Sequence, residues 1–194
     1  MDESQISALI LAGGQAKRAG GILKTEIIVD GETIFSRMIS VLKPIFDRII
    51  ISTNTDLSFD PYNSYPQFAD RIRSKGPLGG IHSALYSSPT SSAVFVFAGD
   101  MPFPDNELII MMLEHFRNDP HKALIPKVND LYEPLHGIYS VSLLHGIEQY
   151  LETEQNPSVI SFLHSVDTDF LVLEDSEKVR KAFTNINSPA GLFY

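Results

Sequence analysis

Six short runs rich in β-branched and aromatic residues alternate along this chain with segments whose apolar residues recur at helical spacing, and that alternation restricts the fold more than any other property. The runs are Ile6 to Leu11, Arg48 to Ser52, Pro66 to Ala69, Ala93 to Ala98, Lys122 to Pro126 and Phe170 to Leu173, each bounded by turn residues. Between them, Ile34, Met38, Val41 and Leu42 share one helical face, as do Leu108, Ile109, Met112, Leu113 and Phe116, and then Leu143, Leu144, Ile147, Tyr150 and Leu151. Pro104 and Asp105 predict the start of the second helix, and Asn156 with Pro157 predicts the cap and first turn of a short helix ending near His164. Strand and helix in alternation imply an α/β fold, a mostly parallel sheet covered on both faces by right-handed crossovers. With 194 residues, no internal repeat and no linker, a single domain is expected. Ligands of such sheets bind beyond the carboxyl ends of the strands, which directs attention to Ala12 to Lys24, Ser52 to Asp56, Asp70 to Gly80 and Gly99 to Phe103.

Composition removes several functions. A net charge of -9 argues against nonspecific nucleic-acid binding, which needs cations to displace phosphate counterions. The absence of cysteine excludes disulfides and thiolate metal sites. The six histidines never fall three or four apart, so the helical ligand pair of zinc hydrolases is absent, and any metal is expected on oxygen ligands. An acidic N-terminus with no long apolar run after it predicts no membrane partner and a cytoplasmic location.

The loop after the first run, LAGGQAKRAGGILKT (11–25), holds four glycines, three cations and no carboxylate. Glycines let backbone N–H groups approach an anion that a Cβ would hold away. Neither GxGxxG nor GxxxxGK[ST] fits it, so the standard dinucleotide and P-loop arrangements fall away, and Lys17, Arg18 and Lys24 remain as cations suited to a polyphosphate. A second stretch, ADRIRSKGPLGGIHSAL, repeats the theme with Arg71, Arg73 and Lys75 ahead of Gly76, Gly79 and Gly80 and a helix expected from near Ile81. No Asp or Glu occurs from residue 4 to 25 or from 71 to 99, whereas six of the fifteen Lys and Arg fall there. That segregation favours an anion site over mixed surface charge. The run AVFVFAGDMPF then ends in Asp100, placed to hold Mg2+, a cation that takes few carboxylates plus substrate phosphates. The other reading, that Asp100 only caps its own turn, would leave a carboxylate beside the phosphate site to repel the substrate.

In order and spacing, LAGGQAKRAGGILK, GPLGGI and GDMP resemble the molybdenum cofactor guanylyltransferases, as do EPLHGIYS (133–140) and TNINSP (184–189) near the C-terminus, so the resemblance spans nearly the whole chain. It implies a three-layer, Rossmann-like nucleotidyltransferase fold with a mostly parallel, mixed sheet. Residues to about 105 would bind nucleotide, and the remainder pterin. By the same resemblance Leu11, Ala12, Gly13, Gly14 and Gly79 would line GTP, Arg18 and Lys24 would bind its triphosphate, and Asp100 would hold Mg2+. Asp70 matches the guanine-contacting carboxylate, which can accept from both N1–H and the exocyclic amine. Ser52 stands where the family usually has asparagine, with Asn54 as the alternative. The implied reaction joins GMP from GTP to molybdopterin, with Asn185, Asn187 and His136 toward the pterin and with molybdenum-insertion and molybdoenzyme chaperone proteins as partners. NINSP also reads as a capped turn, and His136 as a packed core residue. The chain departs from the pattern at Ala19, usually Met, and at Leu23, usually acidic. A cytidylyl or sugar nucleotidyltransferase and a noncatalytic GTP-binding regulator are the rival expectations.

Overall fold

In the computed structural model, which describes residues 5–13, 15–16, 22–88, 90–119 and 121–186, the chain opens with β1 (Ile6–Leu11) and folds back on itself through β2 (Gln15–Ala16) and β3 (Ile22–Leu23). A second small hairpin, β4 (Ile28–Val29) and β5 (Glu32–Thr33), turns on Asp30 and Gly31, whose φ angles are 49° and 87°. Both central residues at positive φ are what a two-residue hairpin turn requires, and Asp-Gly supplies them at low steric cost. Then follow α1 (Ile34–Leu42), β6 (Ile49–Ser52), β7 (Gln67–Phe68), α2 (Gly76–Ser87), β8 (Ala93–Ala98) and α3 (Asn106–Asn118). The later part carries β9 (Ala123–Val128), β10 (Leu131–Tyr132), β11 (Ile138–Ser140), α4 (Leu144–Thr153), α5 (Val159–Leu163), β12 (Thr168–Leu173) and α6 (Glu177–Ala182).

The central sheet has the order β10–β9–β11–β8–β1–β6–β7, with β12 on the other side of β9. β1 pairs in parallel with β6 and β8, β6 with β7, and β9 with β12, whereas β11 lies antiparallel between β8 and β9. Side chains alternate across it as strand geometry demands. Ile6, Ala8 and Ile10 join α1, α3 and α6 in one core, and Leu9 joins α2, α4 and α5 in the other, which makes three layers. All six residues of β8 are buried, as a strand covered on both faces must be.

Two helix starts differ from the sequence-based expectation. α2 begins at Gly76 rather than near Ile81, because Gly76 turns the chain at φ 60° and Pro77 has the φ of a first helical turn. α5 is capped by Ser158, whose side chain accepts from Ser161 N–H, and not by Asn156 with Pro157 as its first turn. Asp105 caps α3 as expected, accepting from Leu108 N–H. Among the described residues no helix is long and apolar enough to cross a membrane.

Candidate active site

Three parallel strands, β1, β6 and β8, end side by side, and the chain leaves each of them into one cleft of about 480 Å³. The exits are stitched together by backbone bonds: Ala12 N–H donates to Ser52 O at 2.9 Å and Gly99 N–H to Leu11 O at 3.1 Å. That crossing explains the glycine before Asp100. A Cβ on Gly99 would stand 2.6 Å from Leu11 O and 2.8 Å from Thr25 Cγ2, distances that real Cβ atoms do not adopt. The described ends of the glycine loop, Leu11 to Gly13 and Lys24 to Thr25, therefore meet the GDMP turn at one rim together with residues from the stretch Asp70 to Gly80.

At the β8 end of the cleft, the turn Lys24–Glu26 brings Lys24 Nζ to within 2.6 Å of Asp100 Oδ2. Both side chains are largely shielded, at 23% and 16% exposure, so their attraction is screened less than that of a surface pair. At the other end, Asp70 N–H donates to Asn54 Oδ1 at 2.9 Å, and Asn54 Nδ2 donates to Asp70 Oδ2 at 2.8 Å. This reciprocal clamp fixes the plane of the Asp70 carboxylate. Leu11, Ala12, Gly13 and Ser52 line the cleft between the two ends. Of the expected site residues, Gly14, Arg18 and Asn187 lie outside the described residues.

Other placements correct the sequence-based picture. Gly80 lines the cleft, whereas Gly79 packs behind Asp70, where a Cβ would sit 3.7 Å from Oδ2 and 3.2 Å from Ile72 O. His136 is a core residue, 1% exposed, with Phe95, Phe97 and Phe183 around its ring at centroid distances of 5.3, 5.2 and 5.2 Å. Burial holds its pKa down to about 4, and it presents no face to a ligand. Asn185 is exposed, and next to it Ile186 N–H donates to Asp100 O at 2.8 Å, which ties the C-terminal motif to the GDMP turn. The cations of the second glycine-rich stretch do not line the cleft. The Arg71 guanidinium lies 3.6 Å over the Tyr86 ring, and Lys75 Nζ donates to Glu154 O at the end of α4. What faces the cleft there is the first turn of α2, Gly76, Pro77 and Gly80, with no side-chain cap and no acidic residue. A helix N-terminus of this kind, with uncapped backbone N–H groups and the positive end of the dipole, is suited to an anion.

Thr25, Pro77 and Leu135 also line the cleft. The sequence carries a signal for Thr25 and Pro77, both adjacent to residues already singled out. Leu135 lies inside the EPLHGIYS stretch beside His136, but nothing in the sequence sets it apart there, and the fold brings it to the cleft by packing the turn after β10 against β8.

A family model for the MobA-like NTP transferase domain matches residues 8–167. The chain belongs to this family. The molybdenum cofactor guanylyltransferase of Syntrophotalea carbinolica is 33% identical over 187 residues, covering 94% of this chain and 86% of that protein. Among solved structures, molybdopterin-guanine dinucleotide biosynthesis protein A from Archaeoglobus fulgidus has a TM-score of 0.77 at 22% identity, covering 96% of this chain and 95% of its own. The 4-diphosphocytidyl-2C-methyl-D-erythritol synthase of Anaerococcus prevotii follows at 0.73 and 17%, covering 98% and 94%. At these identities the two structures show a shared fold, in which different nucleotidyltransferases carry the same three layers.

Proposed function

We propose that this chain transfers GMP from GTP to molybdopterin, forming the guanine dinucleotide cofactor and releasing pyrophosphate. The observation that carries the reading is one cleft with a clamped carboxylate, Asp70, at one end and the Lys24–Asp100 pair at the other, in a chain of the MobA-like family. The Asp70 carboxylate accepts from guanine N1–H and the 2-amino group, a donor pair that cytosine and adenine lack. Asn54 holds it in the plane that such pairing needs.

In the reaction a terminal phosphate oxygen of molybdopterin attacks the α-phosphorus of GTP. A new P–O bond forms, the bond from the α-phosphorus to the bridging oxygen breaks, and its electron pair leaves with pyrophosphate. A phosphate monoester with a second pKa of ~6 is already ionised at neutral pH, so no general base is required. The barrier lies in joining two anions. Lys24, the α2 N-terminus and Arg18 offset that repulsion and stabilise the charge growing on the leaving group.

Asp100 fits a magnesium ion by its chemistry: a single, mostly shielded carboxylate at the phosphate end, with no cluster of three metal-ligating side chains among the described residues. Mg2+ takes one or two carboxylates and completes its shell with phosphate oxygens and water. When bound it would neutralise phosphate charge. The residues up to about 105 supply nearly all of the cleft, and we assign Asn185 and Asn187 of the C-terminal motif to the pterin by the family resemblance.

The test is pyrophosphate release from molybdopterin and each nucleoside triphosphate in turn, with and without Mg2+. Release with GTP alone is expected. Release with CTP in its place, or none with any nucleotide, overturns the assignment.

A further inference from the structure

Tyr62 lies between β6 and β7, outside every motif that marks the cleft. Its ring is fully buried, stacked on Phe35 of α1 at 4.0 Å between centroids and edge-on to Phe59 at 5.3 Å. A phenylalanine would fill the same space, so the hydroxyl is the part that needs explaining. It reaches the turn that carries Lys24, hydrogen-bonding Glu26 Oε1 and standing 2.7 Å from Thr25 Oγ1. A phenol has one proton. The carboxylate of Glu26 is the stronger acceptor and draws it, and the Thr25 hydroxyl then rotates to donate to the phenol oxygen. Burial and the bond to Glu26 push the Tyr62 pKa up, so it stays protonated across the physiological range.

Thr25, 1% exposed, faces two ways. Its Oγ1 meets Tyr62, while its Cγ2 packs where a Cβ on Gly99 would come within 2.8 Å. A single side chain thus touches the strut from Tyr62 and the backbone that leads directly into Asp100, and it follows Lys24 in the chain. The Lys24–Asp100 contact depends on these two backbones keeping their spacing.

We propose that Tyr62 is a positioning residue which, through Thr25 and Glu26, fixes the 24–26 turn so that Lys24 and Asp100 meet where the triphosphate is held. This rests on the function proposed above. The hydroxyl gives a buried anchor to a turn of three residues, too short for an α-helical ladder of its own.

The experiment is a double-mutant cycle between Tyr62→Phe and Lys24→Ala, read in two ways: GMP transfer to molybdopterin, and the affinity for GTP with Mg2+ by calorimetry. Tyr62→Phe keeps both ring contacts and is expected to lower kcat/KM about tenfold and to weaken GTP binding several-fold, and both losses vanish in the Lys24→Ala background. Thr25→Val, which keeps the methyl and removes the hydroxyl, is expected to behave as Tyr62→Phe does. A role confined to core stability would lower the melting temperature and act equally in both backgrounds. Wild-type behaviour of Tyr62→Phe, or a loss that adds in full to that of Lys24→Ala, overturns the proposal. A wild-type chain that binds GTP but transfers no GMP overturns the proposed function, and the calorimetric arm still decides the role of Tyr62.

Discussion

Two aspartates stand in the cleft, and they have opposite kinds of partner. Asp70 is held by the amide of Asn54, a neutral partner that orients it, while Asp100 is held by the ammonium of Lys24. Replacing Asp100 with asparagine keeps the shape and removes the charge, so folding should survive while GMP transfer drops by at least ~100-fold, the size of effect seen when one electrostatic stabiliser is lost from an active site. Steady-state pyrophosphate release and a thermal melt measure the two halves of that expectation. Asp70→Asn should leave turnover with GTP possible but erode base choice, because an amide offers one acceptor oxygen where the carboxylate offers two. The preference for GTP over CTP, as a ratio of kcat/KM, is expected to fall about tenfold or more, in line with ~1.5–3 kcal/mol for a hydrogen bond to a charged group. Lys24, Asp70 and Asp100 were legible in the sequence, since each sits beside a glycine turn or a strand end. Asn54 entered only as the alternative to Ser52, and Tyr62 not at all, because their importance lies in partners sixteen and thirty-six or more residues away.

Among the elements, the turn from β8 into the Asp100 loop leaves no room for a side chain. Gly99→Ala introduces a Cβ against the carbonyl of Leu11, a backbone atom that cannot rotate away. Either β1 or β8 must shift, at a cost of about 1–3 kcal/mol, and Asp100 moves with it. Chemical denaturation should show the loss of stability, and GTP titration a weakened affinity. Helix α2 teaches a different lesson. Its start was expected five residues too late because GPLGG reads as a loop by propensity, yet packing on β1, β6 and β8 overrides those preferences. The basic residues before it seemed to belong to the anion site; the fold spends two of them elsewhere, Arg71 on an aromatic ring and Lys75 on the carbonyl end of another helix. Composition shows how many cations a segment holds, and only the tertiary fold shows where they point.

For the molecule as a whole, the buried histidines set how it meets acid. His136 is held down to about 4 by burial, against a weak opposing pull from Asp105, and His82 is shifted in the same direction for the same reason, with Glu148 opposing and Arg71 assisting. Above the unfolded value of ~6.5 both forms of the chain are neutral at these sites and stability is unaffected. Below it the unfolded chain takes up protons that the folded one refuses, so stability falls between about pH 6.5 and 4. For His136 the full loss is roughly 3 kcal/mol. Urea unfolding at pH 7 and at pH 4.5 should show the slope, and His136→Gln should flatten it whatever its effect at neutral pH. The strands of the α/β architecture were readable because runs of four to six residues rich in β-branched and aromatic side chains, bounded by turn residues, favour extended backbone even where, as in β12, the strand is only partly buried. The direction of β11 was not, since Ile138–Ser140 is too short to register as a run and nothing local marks it as antiparallel.

The bond from Ile186 N–H to Asp100 O makes the turn that bears the aspartate answer to the segment beyond α6. A substitution that slackens that distant segment is therefore expected to register as weakened nucleotide affinity, with every residue of the cleft itself left in place.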